Sequence, residues 1–201
     1  MDDQRTVYFL RHGVTHPNER RQYTGWSDPE LVDGECRWLQ RLAPYLEADQ
    51  VFSSDLIRAK QTAACLFPSS PPSVSPSFRE LYFGDFEGKT YEELKGNKAY
   101  QHWLDHIDSA APLNGESLRS FQKRVQDGWE LVKRRTDRRA AVVTHGGWIR
   151  EWFRLYAPHF PEEKLWNIPF GGGWCGVFQV RGEEWECVSL QEVPITERKP
   201  G

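Results

Sequence analysis

Nowhere in these 201 residues does an apolar run grow long enough to cross a bilayer. The opening stretch, MDDQRTVYFL, has neither the basic region nor the long apolar segment of a signal peptide. Charge of one sign is scarce too: 26 Lys and Arg stand against 29 Asp and Glu, a formal net charge of −3. That balance offers no field for nucleic acid or an anionic membrane surface, so neither is expected as a partner. The basic run Lys133-Arg134-Arg135 reads as a helix end, where cations complement the dipole. The four cysteines, Cys36, Cys65, Cys175 and Cys187, form no C-x-x-C pair, which argues against a zinc ribbon or a dithiol redox motif. They read as small apolar fillers in a reducing compartment, and the protein as cytoplasmic. No repeat and no Gly/Ser linker divides the sequence, so one domain is expected over residues 1–201. With 27% charged and 38% hydrophobic residues, the chain is globular rather than disordered.

What the chain does have is an alternation of short apolar runs with helical spacing. Residues 7–10, 50–53 and 140–144 read as buried strands. Residues 30–47 carry Leu31, Trp38, Leu39, Leu42 and Leu46 at helical intervals. Asp55 is expected to cap a helix over 56–67, and 74–81 to form an irregular edge strand containing Pro76. Helices are expected over 90–106, from Glu116 or Ser117 to about Arg135, and over 147–156, with a hairpin of 174–180 and 185–190 to close the sheet. Such alternation predicts a three-layer α/β/α fold around a mostly parallel central sheet. Residues 84–137 would form a small helical excursion over its active edge, and a polar tail would begin at Pro194.

In sheets of this kind, ligands bind beyond the carboxyl ends of the strands. Two of the expected strands end there in histidine and glycine: Leu10-Arg11-His12-Gly13 and Thr144-His145-Gly146-Gly147. Glycine lets a ligand approach the backbone, and Gly146-Gly147 also opens a helix whose N-terminus favours anions. Arg11 adds a planar fork matched to phosphate oxygens, and Arg58 lies one turn into the helix after the second strand. Either His-Gly pair alone would read as a strand-end histidine satisfied by hydrogen bonds. Together with the two arginines they describe a small cationic pocket suited to a phosphoryl group.

Arg11-His12-Gly13 with Asn18 and Thr24-Gly25 is followed by SSDLIRAKQTA, FRELYFGDFEG, LNGESLRSF and VVTHGG. These ordered blocks, spanning positions 7–147, resemble the histidine phosphatase superfamily, a phosphoglycerate mutase-like group. The FGDFEG and NGES blocks look most like the branch of α-ribazole phosphatase and broad-specificity bacterial phosphatases. The resemblance implies a phosphoglycerate mutase-like fold. It also implies a metal-independent phosphomonoesterase that acts through a phosphohistidine on a small phosphate ester, with α-ribazole phosphate as the candidate. His12 would be the nucleophile, and Arg11, Arg58 and His145 would hold the phosphoryl oxygens. Asn18, Thr24 and Gly25 match positions lining the phosphate site, with Gly146 beside them. Glu80, four residues before Gly84, would protonate the leaving oxygen and later activate water. Residue type alone does not separate Glu80 from Asp85 and Glu87, which otherwise read as loop caps.

Tyr23, Trp26, Tyr82, Trp148 and Trp174 flank these blocks. Each alone reads as packing, but Tyr23 and Trp148 are expected at the substrate, and a bulky or aromatic leaving group follows. Val14 stands where many relatives carry glutamate or glutamine, Arg37 where many carry glutamine, and His16-Pro17 and Arg20-Arg21 also depart from the pattern. No aspartate cluster stands at the strand ends to bridge two metals, and His102 and His106 lack a third ligand. No metal and no cofactor is therefore expected. Two alternatives stay open: a phosphoglycerate-type mutase using the same phosphohistidine, and a non-catalytic module binding a phosphorylated ligand. An exposed edge strand would offer a route to a homodimer.

Overall fold

The computed structural model describes residues 3–160 and 168–193, so the tail expected from Pro194 lies outside the described residues. Strand β1 (Asp3–Arg11) pairs in parallel with β4 (Arg139–Thr144), β4 with β2 (Gln50–Ser53), and β2 with the short β3 (Ser73–Val74). On the far side of β1 the hairpin β5 (Gly173–Arg181) and β6 (Glu184–Glu192) runs antiparallel. The sheet order is β3-β2-β4-β1-β5-β6. Helices cover both faces, which is the α/β architecture that the alternation predicts.

The two-residue period of a strand sends alternate side chains to opposite faces. Val7, Phe9, Phe52, Ala140 and Val142 enter one core, against α6 (Leu118–Arg135) and α7 (Gly146–Tyr156). Leu10, Val51, Ala141 and Val143 enter the other, against Leu39, Leu42 and α3 (Ile57–Leu66). The first core is aromatic: Phe9, Trp129, Trp152 and Phe178 are in mutual ring contact. Trp103, Trp148 and Trp174 are buried on the same side. Burial of each such ring stabilises by roughly 1.5–3 kcal/mol.

Several local expectations fail for identifiable reasons. The helix expected over 30–47 shrinks to α2 (Glu35–Leu39) and a single 3-10 turn, Ala43–Tyr45. Gly34 at φ +81° sets a left-handed start, and Pro44 lacks the N–H that a continued helix needs. Leu39, Leu42 and Leu46 still reach the core, so the apolar spacing reported burial correctly and the helix incorrectly. Residues 90–106 split into α4 (Tyr91–Leu94) and α5 (Lys98–Asp105), because Asn97 caps a new helix through the N–H groups of Ala99 and Tyr100. The edge strand expected over 74–81 gives way to a 3-10 turn at Pro76–Phe78. Asp55 does not cap α3: its carboxylate grips Arg79 at 2.5 and 2.7 Å, and Asp28 instead accepts the Ile57 N–H at 2.6 Å.

The cysteines require the largest correction. Cys36 on α2 and Cys65 on α3 form a disulfide, with Cα atoms 5.4 Å apart. Cys175 and Cys187 are free thiols. No spacing motif announces this pair, because helix packing rather than sequence brings it together. Disulfides persist mainly in oxidising surroundings, so the cysteines no longer support a cytoplasmic setting. Among the described residues, no helix is long and apolar enough to cross a membrane.

Candidate active site

Strands β1 and β4 end side by side, with Arg11 in register with Thr144, so His12 and His145 emerge as neighbours. Their ring centroids lie 5.1 Å apart. Both imidazoles are buried, His145 completely. Between them reaches Arg58 from the first turn of α3, itself fully buried. Its Nε donates to His12 Nε2 at 3.3 Å, and its Nη2 to His145 Nδ1 at 3.2 Å. A guanidinium can only donate, so both ring nitrogens must accept. His12 therefore carries its proton on Nδ1, which donates to the Gly13 carbonyl at 2.7 Å, and its Nε2 lone pair accepts from Arg58. His145 carries its proton on Nε2.

Arg11 lies across the mouth of α7. Its Nη1 donates to the Ile168 carbonyl at 2.7 Å, and its guanidinium stacks 3.6 Å above the Phe170 ring. Gly146 leaves room for it, since a Cβ there would stand 3.3 Å from Arg11 Nε. Among the described residues neither Arg11 nor Arg58 has a carboxylate within 4.0 Å. Arg11 Nε and His145 Nε2 are buried and make no hydrogen bond. Buried donors without partners are rare and costly. Burial, then the charge of Arg58, holds both imidazoles well below the usual histidine pKa. Burial also draws Arg11 and Arg58 down to about 10, with Glu80 opposing it, so both remain charged at neutral pH.

Glu80 is 8% exposed and enters from the loop after β3. Its Oε2 accepts the Gly147 N–H at 2.8 Å in the first turn of α7, and its Oε1 accepts the Leu81 N–H at 2.9 Å. Its backbone carbonyl takes Arg124 Nη2 and Trp26 Nε1, both at 3.0 Å. Gly147 is a requirement of this geometry: any Cβ there would strike Oε1 of Glu80. The other two carboxylates of the block act elsewhere. Glu87 accepts the N–H groups of Trp26 and Ser27 at 2.7 and 2.6 Å, and Asp85 pairs with Asn114.

The remaining expected site residues divide. The Gly25 carbonyl accepts Arg58 Nη2 at 2.7 Å and that of Thr24 at 3.5 Å, so this turn positions the arginine. Asn18 turns its Oδ1 back to Thr15, capping α1 (His16–Glu19). Trp148, expected at the substrate, is a core residue. It is wholly buried, its Nε1 donates to the Ser77 carbonyl at 2.9 Å, and its ring packs on Phe78. Trp174 is core as well, whereas Trp26 stacks on Tyr82 at the surface, with the Arg79 guanidinium 4.7 Å from its ring centroid.

Tyr23 lines a cavity of about 840 Å³ that opens beside Glu80 and Gly147. Tyr23, Phe83 and Trp103 form one aromatic wall, with centroids 5.1 to 6.5 Å apart, and Phe121, Phe153 and Phe160 contribute further rings. Gly147, Arg150, Glu151 and Arg154 supply one face of α7, at the i, i+3, i+4, i+7 spacing of a helix. Glu151 and Arg154 pair with each other there at 2.7 Å. Of these groups, sequence reasoning missed Phe83, Trp103 and the α7 arginines, and it read Gly147 only as the opening of an anion-favouring helix.

Fold and site together define a class: an α/β protein that gathers two imidazoles and two guanidinium groups at parallel strand ends, with one carboxylate poised beside them. Residues 7–193 match the profile of the histidine phosphatase superfamily (branch 1). The chain belongs to that superfamily and is a phosphatase. It is 31% identical to the adenosylcobalamin/α-ribazole phosphatase of Salmonella typhimurium over 171 residues, 81% of this chain and 84% of that protein. It is equally 31% identical to phosphoglycerate mutase-like protein 4 of Arabidopsis thaliana, over 82% of this chain and 77% of that one. The crystal structure of the α-ribazole phosphatase of Shigella flexneri superposes with a TM-score of 0.76 at 23% identity, covering 96% of this chain and all (100%) of that one, which supports the fold.

Proposed function

We propose that this chain hydrolyses a phosphomonoester through a phosphohistidine on His12, without a metal ion, and that the alcohol it releases is bulky and aromatic. One observation carries the reading: Arg11 Nε and His145 Nε2 are buried donors without partners, and the His12 ring, 5.1 Å from that of His145, has an unprotonated Nε2 held by Arg58. A phosphoryl dianion satisfies both donors and balances the two arginines. His12 Nε2 attacks phosphorus as the bond to the alcohol oxygen breaks, and Glu80, as the general acid, delivers a proton to that oxygen. Water then attacks the phosphohistidine, Glu80 takes a proton from it, the P–N bond breaks, and inorganic phosphate leaves.

The aromatic cavity is lined in part by Glu80 and Gly147. Its rings favour an alcohol that carries a flat aromatic group over a triose. α-Ribazole phosphate belongs to that class, and the name of the Salmonella relative supports it. The test is kcat/KM in excess EDTA over a panel of α-ribazole phosphate, nucleotides, phosphoglycerates, sugar phosphates, phosphoserine and an activated aryl phosphate, with His12→Ala alongside. Aromatic esters should lead and the variant should be inert. Loss of activity in EDTA, or small phosphoglycerates leading the panel, would overturn the corresponding part.

A further inference from the structure

Strand β1 ends at Arg11, so the N–H groups of Gly13 and Val14 lie beyond the sheet ladder and must find partners elsewhere. They find side chains. Gly13 N–H donates to Thr62 Oγ1 at 2.9 Å, and Val14 N–H to Glu35 Oε1 at 2.8 Å. Thr62 is fully buried and its hydroxyl donates onward to the Arg58 carbonyl at 2.7 Å. Glu35 is buried against Gly13, where a Cβ would stand 2.8 Å from its Cγ and Oε1. The Gly13 carbonyl is the group that holds His12 Nδ1. Cys36 directly follows Glu35, and Cys65 lies three residues past Thr62 on the same helix, so the disulfide joins the two helices that supply these contacts.

We propose that Thr62 and Glu35 are positioning residues for the nucleophile. They clamp the Gly13–Val14 backbone so that the Gly13 carbonyl keeps the imidazole proton on Nδ1 and aims Nε2 at the phosphoryl group. Thr62 also ties this backbone to the helical turn carrying Arg58, so nucleophile and phosphate clamp move as one unit. The proposal rests on the reading of His12 as nucleophile. An imidazole turned by a fraction of its own width keeps its fold and its ligand and loses its line of attack.

The test compares Thr62→Val, which keeps the volume and removes the hydroxyl, with Thr62→Ser, which keeps the hydroxyl. Phosphohistidine formation is followed in a single turnover of an activated aryl phosphate, beside steady-state KM and thermal melts. Thr62→Val should slow phosphorylation about 10- to 100-fold with KM moving less than about three-fold, and Thr62→Ser should remain within about three-fold of wild type. If Thr62→Val phosphorylates as fast as Thr62→Ser while only its melting temperature falls, the residue is structural and the proposal is overturned. Should Thr62→Val not fold, Glu35→Met against Glu35→Gln makes the same comparison through the Val14 N–H. Wild-type protein that never forms phosphohistidine overturns the reading of His12 itself, and shows it without any substitution.

Discussion

On one side of Glu80, Arg11, His12, Arg58 and His145 stand at strand ends and in a first helical turn; His12, Arg58 and His145 are buried, backbone carbonyls hold Arg11, His12 and Arg58, and Arg58 in turn holds His145. On the other side, Tyr23, Phe83, Trp103 and Phe160 surround about 840 Å³ from four separate segments. The polar half is built by directional bonds, so a small displacement of one group disturbs all its neighbours. The apolar half is built by contact area, which adapts to shape and grades its losses. The phosphate half should therefore decide whether a reaction occurs, and the cavity which ester is taken.

Substitutions can break that division, beginning with the largest effect. His12→Ala should lower turnover about 10⁴-fold or more for every ester while the melting profile stays cooperative. Residual activity that still depends on the ester would show a second nucleophile. Glu80→Gln should cost about 10³-fold on alkyl esters and under about ten-fold on activated aryl esters, which leave without a proton. Equal losses across leaving groups would remove Glu80 as the acid.

Acid stability should belong to the polar half. In the unfolded chain His12 and His145 protonate below about pH 6.5, whereas in the folded chain burial and Arg58 keep them neutral there. The unfolded state then binds more protons, so stability falls as pH drops below about 6.5, by up to about 1.4 kcal/mol per pH unit for each imidazole. Urea midpoints at pH 7.5 and 5.5 in phosphate-free buffer should fall more for wild type than for His12→Ala. Equal falls would contradict the depressed histidine. The smallest effect lies in the cavity: Phe83→Ala should lower the ratio of kcat/KM for bulky over small esters about ten-fold. An unchanged ratio would place the leaving group elsewhere.

The same division governs what could be read from the sequence. The polar half was legible because strand ends keep their residues contiguous: Arg11-His12-Gly13 and His145-Gly146 arrive already assembled. The buried strands were legible through their unbroken apolar runs. The cavity was not, since no periodicity links Tyr23 to Phe83 or Phe160. Trp148 was misplaced because adjacency in sequence is not adjacency on a helix. One residue turns the direction by about 100°, so Gly147 faces Glu80 while Trp148 faces the core. The helix expected over 30–47 failed where two residues, Gly34 and Pro44, overrode a sound apolar pattern.

At Gly147 one methyl group separates a catalyst from a receptor. An alanine there would push the Glu80 carboxylate aside and leave both arginines and both imidazoles in place. Such a chain would capture alkyl phosphates and let them go unchanged, so retained ester affinity with lost turnover would be its signature. Recognition and chemistry can thus be lost independently in this scaffold. With Glu80 as the proposed acid, a single nucleotide change, glycine codon to alanine codon, would lead from an enzyme to a sensor of its own substrate.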